Sequence, residues 1–350
     1  MKTYLVTGGA GFIGSNFVIY MINKYPDIKI INLDALTYAG NLENLKSIEN
    51  NNNHIFIHGD IGDKELVSEL FHKYDIDYVV NFAAESHVDR SIKEPEVFVK
   101  TNVLGTVNLL NCAKEAWFNE EKGWKEGVKY LQVSTDEVYG SLGEEGYFME
   151  TTPLDPHSPY SSSKAGADLM VKAYGDTYKM PINITRCSNN YGPYQFPEKL
   201  IPLLINNCLQ HRDLPIYGDG MNIRDWLFVE DHCKAIDMVI NKGKIGQVYN
   251  VGGHNERTNI QIVDTVIEYL NKNVDTSITE ELKKFVKDRK GHDKRYGIDP
   301  TKIKEDLGWY PETSFEVGIK KTIKWYLDNK EWMENITSGD YTKYYKIMYQ

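Results

Sequence analysis

The sequence has few cysteines, and those it has lie far apart. Cys112, Cys187, Cys208 and Cys233 form no Cys-x-x-Cys pair. This spacing excludes a zinc ribbon and the disulfide framework of small secreted domains. We therefore expect four reduced thiols, mostly buried, and we predict no metal site.

Long apolar runs and an excess of positive charge are also missing. No stretch approaches the roughly 18 apolar residues of a membrane-spanning helix, and the N-terminal MKTYLVTGGAGFIG is interrupted by glycines, unlike a signal peptide. The formal net charge of −10 would repel both a polyphosphate backbone and an anionic lipid surface. These absences predict a cytoplasmic protein that binds neither nucleic acid nor a membrane.

What the sequence does have is the composition of an ordinary folded protein, with 350 residues, 41% of them hydrophobic and 26% charged. Its first half alternates short β-branched runs with amphipathic stretches. Strands are predicted at 3–8, 29–34, 54–60, 78–84, 129–135 and 182–188. This alternation is typical of an α/β fold with a Rossmann-type, doubly wound parallel sheet, whose ligands lie beyond the carboxyl ends of the strands.

The second half is less regular and predicts a smaller, mixed α/β C-terminal lobe for the substrate. Helix-like stretches near 198–210, 231–241 and 259–270 are separated by glycine-containing turns. The polar stretch 271–294 is typical of a solvated helix and loop. We place a dinucleotide-binding Rossmann domain at 1–190, with later returns near 226–255, and the second lobe at 191–350.

A glycine-rich turn follows the first predicted strand. Gly8, Gly11 and Gly14 are spaced as Gly-x-x-Gly-x-x-Gly and open a helix, where only glycine permits a tight turn and the close approach of a pyrophosphate. Asp34 ends the second strand 20 residues after Gly14. Its carboxylate can accept hydrogen bonds from ribose hydroxyls and would repel the extra phosphate of NADP, so the pattern favours NAD. The alternative for Asp34 is a turn or cap residue.

Further cofactor contacts are predicted within the turn and at the ends of the next strands. Asp60 and Ile61 are expected beside the adenine, and Ala83 and Ala84 would let the dinucleotide lie close to the sheet. These residues are Phe12, Ile13, Asp60, Ile61, Ala83 and Ala84.

A tyrosine and a lysine lie four residues apart at the start of a predicted helix. Tyr160 and Lys164 would share one helix face. The ammonium group can then lower the phenol's pKa from about 10, so that Tyr160 acts as a base near neutral pH. Tyr-x-x-x-Lys is common by chance, and the prediction depends on its register with Ser134-Thr135 and the glycine turn upstream.

With TGGAGFIG, STDEVYG and YSSSKA, the chain resembles the extended short-chain dehydrogenase/reductase superfamily. Within it, the chain is similar over essentially its whole length to the dTDP-glucose 4,6-dehydratases, which are hydro-lyases. The long segments that carry this similarity are NFAAESHVDRS (81–91), SPYSSSKAGAD (158–168), RCSNNYGPYQFPEKLIP (186–202), RDWLFVEDH (224–232) and DRKGHDKRYGID (288–299).

The resemblance implies a reaction that converts dTDP-glucose to dTDP-4-keto-6-deoxy-glucose and water. In it, Tyr160 takes the proton of the sugar 4-hydroxyl as hydride passes from C4 to NAD. Thr135 binds the same oxygen, and Lys164 holds the phenolate and the nicotinamide ribose. Glu137 then removes the C5 proton while Asp136 protonates the departing 6-hydroxyl. Hydride returns to C6, Glu137 reprotonates C5, and the regenerated NAD stays bound.

The resemblance also places the nucleotide sugar in the lobe at 191–350. The residues expected to bind its sugar, diphosphate and thymine are Asn190, Glu198, Lys199, Leu200, Pro215, Tyr217, Arg224, Asn259, Arg289, His292 and Tyr296. Ser86 is expected near the substrate and Asn102 near the cofactor. By residue type alone, Arg224 beside Asp225 is typical of a structural ion pair, and His87 is interpreted as structural.

The stretches 98–117 and 158–178 resemble the two helices that form a four-helix-bundle interface in this superfamily, which predicts a homodimer.

The acidic pair Asp136-Glu137 separates alternative enzymes, because related UDP-sugar epimerases lack it and UDP-glucuronate decarboxylases lack its aspartate. Asp34 opposes a GDP-mannose dehydratase that uses NADP. A non-catalytic NAD-binding sensor is a further alternative, which the intact catalytic residues oppose. The product would enter deoxysugar biosynthesis of the rhamnose type.

Overall fold

A computed structural model of the chain describes residues 1–288 and 291–337. The strands in these residues are β1 (Lys2–Thr7), β2 (Ile28–Asp34), β3 (His54–His58), β4 (Tyr78–Asn81), β5 (Phe118–Asn119), β6 (Gly123–Trp124), β7 (Lys129–Thr135), β8 (Ile182–Cys187), β9 (Asn189–Tyr191), β10 (Leu214–Tyr217), β11 (Ile223–Phe228), β12 (Val248–Val251), β13 (Glu256–Thr258) and β14 (Lys283–Val286).

The α-helices of the same residues are α1 (Phe12–Lys24), α2 (Lys64–Tyr74), α3 (Val88–Lys93), α4 (Pro95–Phe98), α5 (Thr106–Trp117), α6 (Pro159–Tyr178), α7 (Leu200–Leu209), α8 (Val229–Lys242), α9 (Asn259–Asn273), α10 (Thr301–Leu307), α11 (Phe315–Asp328) and α12 (Lys330–Thr337). A π-helical segment, Val99–Gly105, joins α4 to α5, and 3-10 turns lie at Leu42–Ile48, Asp136–Tyr139 and Glu280–Leu282. None of the helices in the described ranges is both long and apolar enough to cross a membrane.

The centre of the molecule is a seven-stranded sheet with the order β12-β8-β7-β4-β1-β2-β3. All of its strand pairs are parallel, which confirms the predicted Rossmann-type sheet and its six strands. Strand β7 is buried along its whole length, as expected when helices cover both faces of a parallel sheet. The chain reverses its strand order between β1 and β4, and such a switch point opens a crevice at the carboxyl end of the sheet.

Helices α1 and α8 cover one face of the sheet, and α2, α5 and α6 cover the other. Strands β3 and β4 end at His58 and Asn81, earlier than the predicted 60 and 84. The residues beyond these ends are released from the sheet into the crevice. The four cysteines are buried free thiols, as expected.

The C-terminal lobe has its own core around α7, α9 and α11. It holds a three-stranded sheet, β13-β11-β9, and the parallel pair β10-β14. The prediction of a solvated helix and loop over 271–294 is therefore wrong in part, because Lys283–Val286 forms a strand beside Leu214–Tyr217. The partner strand lies about 70 residues earlier in the chain, and a polar edge strand has no local signal that distinguishes it from a loop.

Candidate active site

A deep cleft lies at the switch point of the large sheet, and its walls come from the turns after β1, β2, β4 and β7. A second pocket opens from the cleft toward the C-terminal lobe and shares Ser86, Glu137, Glu198 and Lys199 with it. The two pockets therefore form one continuous site, with the predicted cofactor residues at one end and the predicted substrate residues at the other.

The glycine turn forms the floor of the cleft. Gly8 has φ +68°, and a Cβ there would lie 2.7 Å from the main-chain nitrogen of Ala83. A Cβ at Gly14 would overlap the carbonyl oxygen of Gly8. Gly11 precedes α1 without a side-chain cap, so the first-turn amides of that helix can bind an anion. The turn has the shape and the free donors that a pyrophosphate requires.

Asp34 lines the cleft at the end of β2. Its Oδ2 accepts the Ala10 amide and its Oδ1 accepts the Leu36 amide, both at 2.8 Å. Burial raises the pKa of this carboxyl, and the two amides oppose the rise. Asp34 thus supports the turn, as in the alternative interpretation. A carboxylate has about four acceptor sites, so two remain for ribose hydroxyls, and the site fits NAD.

The other predicted cofactor residues line the same cleft, namely Phe12, Ile13, Asp60, Ile61, Ala83 and Ala84. Asn102 is placed differently. Its Oδ1 accepts the Glu85 amide at 2.8 Å, and its Nδ2 donates to the Glu85 carbonyl at 3.0 Å and to Ser163 Oγ at 2.8 Å. The Asn102 carboxamide is occupied by these partners, so it holds the loop after β4 against α6 and does not line the cleft.

The predicted catalytic residues of β7 lie where that strand ends in a 3-10 turn. Thr135 caps the turn, because its hydroxyl oxygen accepts the Glu137 amide at 3.3 Å. The same hydroxyl donates to Asp136 Oδ1 at 3.3 Å. Thr135, Asp136 and Glu137 all line the cleft, so a short turn of three consecutive residues presents a hydroxyl and two carboxyl groups to one ligand.

The two neighbouring acids have different surroundings. Asp136 is 1% exposed, and its Oδ2 is buried without a hydrogen-bond partner. Burial raises its pKa well above the ordinary value, and the charges of Glu137 and Asp225 raise it further. Glu137 is half-buried at the junction of the two pockets. Such a difference allows one carboxyl group to act as an acid and its neighbour as a base.

Tyr160 and Lys164 stand on the first turns of α6. The helix begins at Pro159 behind a capping box in which Ser158 and Ser161 bind each other's backbone amides. Both side chains line the cleft, which agrees with a shared helix face. This local geometry follows directly from the i, i+4 spacing.

The predicted lowering of the Tyr160 pKa by Lys164 is not found in this structure. Burial raises the pKa of Tyr160 well above 10, and the charge of Glu137 raises it further. Lys164 donates to the Val133 carbonyl at 2.8 Å, and burial lowers its pKa while the carboxylate of Asp168 opposes that change. In this arrangement the ammonium group is directed to the end of β7 and not to the phenol.

The second pocket contains most of the residues predicted to bind the substrate. They are Ser86, Glu198, Lys199, Leu200, Pro215, Tyr217, Arg224, Asn259, His292 and Tyr296, while Asn190 lines the cofactor cleft. Arg289 lies outside the described residues. The predicted pocket residues therefore come together from the loop after β4, from β10 and β11, from the starts of α7 and α9 and from the segment 291–296. The most distant of them, Ser86 and Tyr296, are 210 residues apart in sequence.

Arg224 does not pair with Asp225, contrary to the interpretation from residue type. Its guanidinium lies 4.2 Å from the centre of the Tyr296 ring and donates to main-chain carbonyls, including that of Asp293 at 3.0 Å. Asp225 instead accepts the amides of Gly253 and Asn255, both at 2.7 Å. Arg224 therefore presents a positive charge in the pocket, held in place by neutral acceptors.

Some residues of the site carried no sequence signal. Tyr38 donates to Glu198 Oε1 at 3.2 Å, and the Arg90 guanidinium lies 5.0 Å from the centre of the Tyr38 ring. Tyr38 and Arg90 lie behind the cleft lining and support Glu198. Cys187 lines the cleft, but burial raises the pKa of its thiol, which makes it a poor nucleophile. Tyr38 and Glu198 are 160 residues apart, and no local pattern could have joined them.

Comparison with known proteins gives consistent matches. Residues 5–322 match the family described as GDP-mannose 4,6 dehydratase. A dTDP-glucose 4,6-dehydratase of Xanthomonas campestris is 52% identical over 344 residues, which cover 97% of each chain.

Two crystal structures are also similar. The dTDP-glucose 4,6-dehydratase of Bacillus anthracis in complex with NAD is 50% identical, with a TM-score of 0.86 and coverage of 96% of this chain and 100% of that one. The Streptomyces venezuelae enzyme of the same name, with NAD and dTDP bound, is 46% identical, with a TM-score of 0.88 and coverage of 95% and 99%.

Proposed function

The chain belongs to the family of dTDP-glucose 4,6-dehydratases, and from that membership we infer that it converts dTDP-glucose to dTDP-4-keto-6-deoxy-glucose and water. The observation that carries this function is the acidic pair at the junction of the two pockets. Asp136 is buried and favours the protonated state, whereas Glu137 is half-buried and faces both pockets. Removal of water from a sugar needs one group to accept a proton and another to donate one.

NAD is the cofactor, and the turn at Gly8, Gly11 and Gly14 together with Asp34 would hold it. When bound, it supplies the hydride acceptor for C4 of the sugar and the hydride donor for C6. The free amides at the start of α1 would bind its pyrophosphate. The remaining acceptor sites of Asp34 would bind its ribose hydroxyls. Because hydride leaves and returns within one turnover, no second oxidant is needed.

We assign to Tyr160 the role of the base that accepts the proton of the sugar 4-hydroxyl. Thr135 lies on the same cleft wall and would bind the same oxygen. The high pKa of Tyr160 follows mainly from burial, so a positive charge beside the phenol is required before it can act as a base at neutral pH. Lys164, one helical turn away, would supply this charge once its ammonium group turns from the Val133 carbonyl toward the phenol.

The elimination step is assigned to the acidic pair. Glu137 would take the C5 proton, which the neighbouring 4-keto group makes acidic. Asp136, whose Oδ2 is buried without a partner, would donate its proton to the departing 6-hydroxyl. After elimination, Glu137 would return a proton to C5.

The substrate's nucleotide would occupy the second pocket, which is lined by Arg224, His292 and Asn259. An arginine is well suited to bind a diphosphate with two parallel hydrogen bonds. Lys199 lies at the junction of the pockets and donates to the Ser86 carbonyl at 3.1 Å. This arrangement supports placing the diphosphate between the lobes and the sugar beside Glu137.

The proposed homodimer would be formed by the helices at 98–117 and 158–178. Val99 and Leu104 on the first stretch are 49% and 60% exposed, and Leu169 on α6 is 56% exposed. The two stretches pack side by side within the chain, so their apolar residues can form one continuous face. A four-helix bundle with a second copy would cover that face.

We also place the enzyme in the cytoplasm, where its four free thiols would remain reduced, and in deoxysugar biosynthesis of the rhamnose type.

The test is to incubate the purified protein with dTDP-glucose in deuterated water without added NAD. We expect a 4-keto-6-deoxy product that carries deuterium at C5, detected by mass spectrometry and NMR. Glu137→Gln should stall after oxidation and lower the rate of product formation by about 10²–10⁴-fold. Glu144→Gln, in an exposed loop, is the matched control and should behave as the unmodified enzyme. Unchanged dTDP-glucose, with epimerised or decarboxylated UDP-sugars instead, would refute the assignment.

A further inference from the structure

Asp293 lies at the edge of the substrate pocket, and it has no role in the reaction described above. It is 8% exposed, and both of its carboxylate oxygens are used. Oδ2 accepts the hydroxyl of Tyr296 at 2.6 Å, and Oδ1 accepts Nδ1–H of His157 at 2.6 Å. One buried carboxylate thus joins two side chains that are 139 residues apart in sequence.

The main chain of Asp293 holds a second pair of side chains. Its carbonyl oxygen accepts Arg224 Nη2 at 3.0 Å and Asn222 Nδ2 at 3.1 Å. Arg224 also stacks on Tyr296. The positions of Arg224 and Tyr296, two residues of the substrate pocket, therefore both depend on where Asp293 lies.

His157 connects this cluster to the helix that carries Tyr160. It is the residue before Ser158, whose side chain caps α6. A Cβ added at Gly291 would lie 3.3 Å from the carbonyl oxygen of His157, so the segment of Asp293 packs directly on the start of that helix. The His157–Asp293 hydrogen bond thus ties the substrate pocket of the C-terminal lobe to the catalytic helix of the Rossmann domain.

We propose that Asp293 is a positioning residue that aligns Arg224 and Tyr296 with the catalytic helix, and that its bond to His157 makes binding of the nucleotide diphosphate dependent on pH. This inference rests on the proposed function, because it assigns the diphosphate to the pocket of Arg224. Neither Asp293 nor His157 needs to touch the substrate. Their effect on binding passes through the two side chains that Asp293 holds.

The sign of the pH dependence follows from the groups around His157. Its hydrogen bond to Asp293 is the largest influence and raises its pKa above 6.5, burial opposes this, and Asp155, 3.6 Å from Nε2, adds to the rise. On the far side of Asp293 lie the Tyr296 hydroxyl on its other oxygen, Arg224 stacked on that ring, and Glu137, whose charge also acts on Tyr296. Below the raised pKa, the bond joins an imidazolium to a carboxylate. As pH rises through that pKa, the bond loses its charge assistance and weakens.

The experiment compares the full-length enzyme with Asp293→Asn and His157→Asn. The dissociation constant of dTDP is measured by calorimetry, and KM and kcat for dTDP-glucose are measured over the same pH range. For the unmodified enzyme we expect the dissociation constant of dTDP and the KM for dTDP-glucose each to rise by about tenfold as His157 loses its proton. This is the size expected for the loss of one charge-assisted hydrogen bond. His157→Asn keeps a neutral donor at the position of Nδ1, so both constants should be high and independent of pH while kcat stays within about threefold.

Asp293→Asn should raise KM by about tenfold or more and abolish the same pH dependence. His211→Asn is the control, because His211 makes a comparable surface pair with Asp275 at 3.3 Å and should leave the profile unchanged. Equal pH profiles of dTDP binding in the unmodified enzyme and His157→Asn would overturn the inference, even if Asp293→Asn failed to fold. A protein that binds dTDP with the expected profile but does not convert dTDP-glucose would refute the proposed function and retain the inference.

Discussion

Replacing Asp168 by asparagine should lower the stability of the whole protein, because Asp168 is the partner of a buried arginine. Arg186 Nε lies 2.9 Å from Asp168 Oδ2, and the two side chains are 7% and 1% exposed. The Arg186 guanidinium also donates to the Tyr139 hydroxyl at 2.9 Å. Asparagine has nearly the same shape, so the substitution removes the negative charge and leaves the packing intact.

The magnitude follows from the charge that remains. Breaking a buried ion pair by removing one partner costs about 3–5 kcal/mol, and arginine cannot escape by losing its proton. Lys164, one helical turn before Asp168, is a second buried cation that depends on the same carboxylate, which favours the upper half of that range. At about 2.1 cal/mol/K per residue, the unfolding entropy of 350 residues converts about 4 kcal/mol to a decrease in Tm of about 5 °C.

The assay is thermal unfolding followed by circular dichroism, with two comparison variants. Asp328→Asn removes a pair of similar length, 2.8 Å to Lys324, whose side chains are 57% and 70% exposed. It should shift Tm by less than 1 °C, since exposed i, i+4 pairs contribute about 0.3–0.5 kcal/mol. Arg186→Met should cost less than Asp168→Asn, because the pKa of Asp168 is already raised by burial and the carboxyl can take a proton. If Asp168→Asn lowered Tm no more than Asp328→Asn, this reasoning would be refuted.

Two further predictions concern the cofactor and the assembly. Gly14→Ala should purify with much less bound NAD than Gly143→Ala, measured by releasing and quantifying the nucleotide, because a Cβ at Gly14 overlaps the Gly8 carbonyl and one at Gly143 meets nothing within 4 Å; equal NAD content would contradict this. Leu104→Glu should convert a dimer to a monomer in sedimentation equilibrium, whereas Val317→Glu, 50% exposed on α11, should not; two variants with the same mass would count against the proposed interface.

The sequence alone was sufficient for features that depend on neighbours along the chain. Tyr160 and Lys164 share a helix face because 3.6 residues make one turn, and their i, i+4 spacing is visible in the sequence. The glycine turn and Asp34 were predictable because the turn follows β1 and Asp34 is the last residue of β2, and parallel strands bring their carboxyl ends to one edge. The six predicted strands were recognisable because buried parallel strands are short apolar runs, and here these runs lie between amphipathic stretches.

The resemblance extended the prediction to distant pocket residues such as Arg224 and Tyr296, which residue type alone could not assign. The contacts that these two side chains make could still not be predicted. Arg224 binds main-chain carbonyls and Tyr296, and not the adjacent Asp225. A sequence shows which charge is next in the chain, but it does not show which acceptor is nearest in space.

Only the tertiary structure decided how the groups influence one another. Asp136 and Glu137 are adjacent in sequence, yet folding buries one and leaves the other half-buried, and desolvation raises the pKa of the buried Asp136. The bond between His157 and Asp293 joins residues 136 positions apart. Local spacing determines which side chains share a helix face or a strand end, whereas burial and long-range contacts, which set pKa values and positions in the pocket, exist only once the chain has folded.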